Sequence, residues 1–140
     1  MNNADIVAVR EFRRFANTYI YPTTAQYFME KIKYYCDIEQ ISYEPQPQIT
    51  IKFISRIKPY NQSDYITILH NILKEIFVSF FNEEENIKLI RNKIYNNIQV
   101  TNSCNTLYYA LTQIQSGNQE FLSLLFNITL LNNDNMYLYL

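Results

Sequence analysis

Between Asp64 and Phe81, apolar side chains recur at three- and four-residue spacing. Ile66, Leu69, Ile72, Leu73, Ile76, Phe77 and Phe80 collect on one side of a helix, and Thr67, His70, Asn71, Lys74 and Glu75 on the other. This long amphipathic helix is the element on which the other segments are expected to pack. Burying such side chains at roughly 1.5–3 kcal/mol each supplies on the order of 10–20 kcal/mol of gross stabilisation before chain entropy is set against it.

The same period runs through most of the chain. A first helix is predicted from about Ala4 to Asn17, capped by Asn3, with Val9, Phe12, Ala16 and Tyr19 inward and Ala8 and Phe15 beside them. Arg10, Arg13 and Arg14 then lie outside. A turn from Thr18 to Tyr21 leads to Pro22, which suits a first helical position, and Ala25, Phe28, Met29, Ile32, Tyr35 and Cys36 form the next apolar stripe. So short a link predicts an antiparallel hairpin. Glu39 to Gln48, with Pro45 and Pro47, reads as loop. Ile49 to Lys58 fits both periods: Ile49, Ile51 and Phe53 alternate like a strand, while Ile49, Phe53, Ile54 and Ile57 space like a helix. A short helix is preferred, because no second strand is evident to satisfy its backbone.

Ser63 or Asp64 is expected to cap the long helix. Asn82, with Glu85 as capping-box partner, starts the next, lined by Ile87, Ile90, Ile94 and Ile98. Asn102 or Ser103 caps another, with Cys104, Leu107, Tyr108, Leu111 and Ile114 inward and Gly117 closing it. Phe121, Leu124, Leu125, Ile128 and Leu131 read as the last helix. The end, Met136 to Leu140, either docks on the core or forms a hydrophobic tail. The fold class expected is all-α: one domain over residues 1–140, of about six amphipathic helices arranged as antiparallel hairpins, either solenoid-like or a compact bundle.

Composition narrows the function classes. One glycine among 140 residues cannot build a phosphate-cradling loop, which needs several close backbone approaches. It also leaves positive-φ turns to Asn and Asp. Two cysteines, Cys36 and Cys104, and the single His70 lack zinc-ligand spacing, and no triad or nucleophile elbow is present. Glu83, Glu84 and Glu85 sit at a helix start, where capping accounts for them. No cofactor, metal or enzymatic activity is expected.

The net charge of −1, with no Lys or Arg after Lys93, disfavours nucleic acid as a partner. No apolar run reaches the ~18 residues of a membrane span, and the N-terminus lacks a signal-peptide core, so an intracellular protein of cytoplasm or nucleus is expected. The 13 tyrosines and 9 phenylalanines carry the aromatic content. Tyr19, Tyr21, Tyr27, Tyr34 and Tyr35 gather in the N-terminal third, and with Arg10, Arg13 and Arg14 they form the candidate interface, because tyrosine joins large contact area to low rotamer entropy.

Two stretches resemble the tetratricopeptide repeat. Ala25-Gln26-Tyr27-Phe28-Met29-Glu30-Lys31-Ile32 looks like the second helix of the N-terminal repeat in scaffold subunits of the anaphase-promoting complex. Leu107-Tyr108-Tyr109-Ala110-Leu111, then Ile114, Gly117 and Phe121-Leu122, is similar to a repeat's first helix, turn and second helix. The resemblance implies a scaffold that binds other proteins in a concave groove. The function expected is thus a protein-interaction module, a scaffold or adaptor subunit whose partner is another protein or a second copy. Two alternatives stand beside it. One is a viral host-modulating bundle resembling apoptosis regulators, suggested by the long apolar helix and an Asn/Ile/Tyr/Lys-rich composition typical of AT-rich genomes. The other is a small winged-helix nucleic-acid binder with Ile49 to Ile57 as a strand.

Overall fold

The computed structural model describes residues 3–46, 50–54, 61–97, 101–131 and 135–139. Helix α1 (Asn3–Phe15) buries Ala8, Val9, Phe12 and Phe15. The helical path then continues through a π-helical turn, Ala16–Ile20, into α2 (Tyr21–Glu39). No hairpin turn is made at Thr18 to Tyr21. Pro22 has no N–H to donate four residues back, and the Tyr21 N–H reaches five residues back to the Ala16 carbonyl. The hydroxyls of Thr23 and Thr24 donate to the Ile20 carbonyl at 3.0 and 2.8 Å. The expected hairpin is therefore replaced by a near-continuous helix.

A left-handed residue ends α2. Gln40 has φ 57° and ψ 41°, with Ile41 N–H donating to Cys36 O at 2.8 Å and Gln40 N–H to Asp37 O at 3.2 Å. These two bonds are the Schellman pattern, made here without glycine. Among the described residues Gln40 is the one non-glycine at positive φ, so the turn fell to glutamine rather than Asn or Asp. Gln40→Gly is expected to raise the unfolding free energy by about 0.5–1 kcal/mol by relieving this conformation. A shift of the urea midpoint to higher concentration, at unchanged slope, checks it.

The all-α expectation fails at the next segments. Strands β1 (Ser42–Pro45) and β2 (Thr50–Ile54) pair antiparallel, Tyr43 facing Phe53 and Glu44 facing Lys52. Their partner comes from the far end of the chain: β4 (Asn135–Tyr139) pairs with β2, and β3 (Ile128–Leu130) with β4, giving the order β1-β2-β4-β3. The protein is predominantly helical with a four-stranded antiparallel sheet. Residues 50–54 are strand rather than helix because Asn135–Tyr139 supplies the hydrogen-bonding edge not evident in the sequence. Ile49 and residues 55–60 lie outside the described residues. Pro45 sits at the end of an edge strand, where a missing N–H is tolerated. Ile51, Phe53, Met136 and Leu138 point to the core and are at most 2 % exposed, so the C-terminal segment docks.

Between the two halves of the sheet lie four helices. In α3 (Gln62–Asn82) the predicted stripe is buried, except that Ile66 is only half-buried, and Tyr65 and Phe81 join it. Its cap is Asn61, whose side-chain oxygen accepts from Asp64 N–H at 2.9 Å, not Ser63 or Asp64. Asn82 ends α3 rather than starting the next helix. Glu83 is extended, with ψ 127°, and α4 (Glu84–Asn97) follows, burying Ile87, Ile90 and Ile94. The predicted inner residue Ile98 lies outside the described residues.

Helix α5 (Thr101–Gln115) starts before Asn102 and Ser103, whose side chains lie outside the described residues. It buries Leu107, Ala110, Leu111 and Ile114, while Tyr108, expected inward, faces out. Gly117 adopts φ 72°, and Gly117 N–H to Ile114 O and Asn118 N–H to Gln113 O, at 3.0 and 3.2 Å, complete a second Schellman cap. Asn118 then caps the short α6 (Gln119–Leu125). Ile128, expected to continue this helix, belongs instead to β3, and Leu131 follows that strand.

Helix α1 packs chiefly on α5 and α6, and α3 touches α2, α4, α5 and α6. Buried side chains from helices and sheet form one hydrophobic cluster. At its centre the Phe77 ring stacks on Phe28 at 4.5 Å, lies 3.8 Å from Phe126, and meets Tyr21 edge-on at 6.0 Å.

Candidate functional site

The outer face of α1 carries Ile6, Val7, Arg10 and Arg14, one helical stripe opposite the buried Ala8, Phe12 and Phe15. Ile6 is 42 % and Val7 47 % exposed, and across the α1–α6 contact Leu124 is 41 % exposed. Ile6, Val9, Arg10, Arg13 and Leu124 together line an open groove of about 620 Å³ whose walls are mainly apolar. On the other flank of α1 a second groove runs along α5, lined by Ala4, Val7, Thr106 and Tyr109 among others. The Tyr109 hydroxyl donates to the Asp5 carboxylate and ties α5 to α1 beside it.

The arginines at the first groove are not equivalent. Arg14 is exposed and pairs with Glu11 at 3.4 Å. Arg10 is exposed and Arg13 half-buried; among the described residues neither has a carboxylate within ion-pair distance. Both residues line the groove beside Ile6, Val9 and Leu124.

The tyrosines expected to share this interface lie elsewhere. Tyr21 is 2 % exposed, enclosed by Phe28 and Phe77, so it belongs to the core rather than to any surface. Tyr19 is half-buried against Phe15. Tyr27 leans on Phe80 at 5.2 Å, with Lys31 Nζ 5.8 Å from its ring centre; burial and then the Glu83 carboxylate raise its hydroxyl pKa. Tyr35 is half-buried, with a pKa raised by burial and then by Glu75, and only Tyr34, 59 % exposed, stands well out, edge-on to Tyr35 at 5.3 Å. The eight residues thus divide: Arg10 and Arg13 meet at the α1–α6 groove with Arg14 nearby, whereas Tyr27, Tyr34 and Tyr35 follow α2. Ile6, Val9 and Leu124 complete the groove. Val9 and Leu124 stand on predicted helical stripes, and the signal for the surface role was Ile6, an apolar residue on the arginine-bearing face of the first helix.

A polar trough follows the outer side of α3, where Thr67, His70, Asn71 and Lys74 face Gln119 and Ser123 of α6. Burial lowers the His70 pKa, favouring the neutral ring. Among the described residues no three His, Cys, Asp or Glu side chains converge as a metal site, and no helix is long and apolar enough to cross a membrane.

Cys36 is fully buried, and burial, then the Asp37 carboxylate, pushes its thiol up to about 12. Burial likewise raises the Tyr21 and Tyr65 hydroxyls. Above pH 9 the unfolded chain releases the Cys36 proton while the folded protein keeps it, so fewer protons are bound in the unfolded state and stability falls with rising pH. Thermal melts are expected to drop progressively from pH 9 to pH 12, less steeply in Cys36→Ala. At pH 8 a thiol reagent should modify half-buried Cys104 well before Cys36, whose reaction should follow the rate of opening of the fold.

The described surface thus includes an apolar groove whose two arginines lack carboxylate partners among the described residues, a second groove between α1 and α5, and a trough beside α3. No family model, curated protein or solved structure matches the chain, so these residues themselves carry the functional reading.

Proposed function

We propose that this protein is a non-enzymatic protein-interaction module, a scaffold or adaptor subunit, that docks its partner on the α1–α6 groove. The observation that carries this reading is the exposure of Ile6 and Leu124 beside Val9, Arg10 and Arg13 in one groove. Isolated apolar residues on a surface are ordinary, but a groove lined by several of them has free energy to gain from a covering partner, at roughly 25 cal/mol per Å² of apolar area buried. Arginine at its edge adds the residue type most often found at energetic centres of interfaces. The likeness of Leu107 to Leu122 to a tetratricopeptide hairpin points in the same direction. The rival bundle reading draws on α3 and its contacts with α2, α4, α5 and α6, and it too implies partner binding.

A photo-crosslinking residue at position 124, compared with one at Tyr95 on α4, tests the proposal. Tyr95 is 79 % exposed and lies on a different helix. In cells that naturally contain the protein, a recurrent polypeptide adduct at position 124 and none at position 95 is expected. Equal labelling at both positions, no adduct, or recovery of nucleic acid in place of polypeptide would contradict it.

A further inference from the structure

Resting on the reading of the α1–α6 groove as a docking surface, we infer that its occupant is an acidic amphipathic helix. Apolar side chains of that helix seat on Ile6, Val9 and Leu124, and carboxylates on its flank meet Arg10 and Arg13. The chemistry follows from the lining. Among the described residues the charged side chains lining the groove are Arg10 and Arg13, and no carboxylate lies within ion-pair distance of either, so the lining presents positive charge beside apolar surface.

Arg10 and Arg13 stand three residues apart on α1, about 4.5 Å along the axis. Carboxylates three or four residues apart on a facing helix repeat at similar spacing, and each guanidinium can grip one through two parallel hydrogen bonds. Partial cover from the groove walls strengthens these pairs relative to open water. The walls are α-helices with no free strand edge, so a bound segment finds no backbone partner and must satisfy its own, as a helix does. An apolar lining also disfavours a polyphosphate, which would gain charge contacts but lose hydration against Ile6 and Leu124. The volume of about 620 Å³ suits a few anchoring side chains.

Two synthetic helical probes of about 18 residues test this, identical in their apolar stripe and bearing either Glu or Lys on the flanks. Binding to the full chain is followed by fluorescence anisotropy at about 0.05 M and 0.3 M salt. The Glu probe is expected to bind at least about tenfold more tightly than the Lys probe, with the margin shrinking at high salt. Arg10→Glu combined with Arg13→Glu should reverse the order of the probes, and Leu124→Asp should abolish binding of the Glu probe. Because Arg13 is half-buried, Arg10→Glu alone, at an exposed position, is the folding-safe variant and should cut the preference by several-fold.

Equal binding of the two probes, or binding untouched by Leu124→Asp, overturns the inference. So does a dimer of the protein alone that Leu124→Asp dissociates, since a second copy would then fill the groove. If neither probe binds while the position-124 crosslink still captures a partner, the acidic helix is wrong and the docking surface stands. If both fail, both are wrong.

Discussion

Phe77→Ala is expected to lower the unfolding free energy by about 3–5 kcal/mol. The ring stacks on Phe28, lies 3.8 Å from Phe126, and contacts Tyr21 and Phe81, so it joins α2, α3 and the segment following α6. Removing it leaves a void bounded by rings that cannot all collapse inward, since Phe28 and Phe80 are already packed at 4.6 Å. A domain of this size has a net stability of about 5–15 kcal/mol. Much of it would therefore be lost, and urea unfolding should show a midpoint shifted far down. The exposed Tyr34 is the natural comparison: Tyr34→Ala should move the midpoint by no more than about 0.5 kcal/mol equivalent.

The second large effect belongs to the sheet. Leu138 is fully buried on β4, opposite Ile51 on β2 and Ile128 on β3, so Leu138→Asp places a carboxylate where three strands meet the core. A buried charge without a partner costs about 3–5 kcal/mol. The loss should be accompanied by rapid amide exchange in both Thr50–Ile54 and Asn135–Tyr139, because each strand supplies the other's hydrogen bonds. Leu131→Asp, just past β3 and 54 % exposed, should leave the exchange pattern unchanged. If Leu138→Asp and Leu131→Asp behaved alike, the docking of the C-terminal strand would be wrong.

These two residues also mark where the sequence was and was not legible. Phe77 belongs to a stripe that keeps helical period over about four turns, and a period that long has few alternative readings. Gly117 was equally plain, because a lone glycine after an amphipathic run answers a specific backbone need at φ 72°. The sheet was hidden for the opposite reason. Its strands are short, and β2 pairs with a strand some eighty residues away, so no local pattern announces the partner. The alternation of Ile51 and Phe53 was visible, but an unpaired strand is implausible until Met136 to Tyr139 is recognised as its neighbour. Ile128 and Leu131 kept helical spacing, yet α6 ends at Leu125 and the chain turns into β3.

The groove was half legible. Outward placement of Arg10, Arg13 and Arg14 follows from the stripe of Ala8, Phe12 and Phe15 on the opposite face. Exposure of Leu124 does not follow, because it depends on how α1 lies across α6, a tertiary fact. Tyr21 shows the limit of reasoning from aromatic content: an amphipathic ring serves a core or an interface equally well, and here the Phe28 and Phe77 rings enclose it.

If a partner helix lies in the α1–α6 groove, amide chemical shifts of the isotope-labelled protein, titrated with the Glu-bearing probe, should locate it there. Shifts confined to Asn3–Phe15 and Gln119–Leu125, saturating with the probe and absent in Leu124→Asp, are the expected result. Shifts centred on the polar trough of Thr67, His70 and Lys74, or along Tyr27, Tyr34 and Tyr35, would place the interface elsewhere and contradict it.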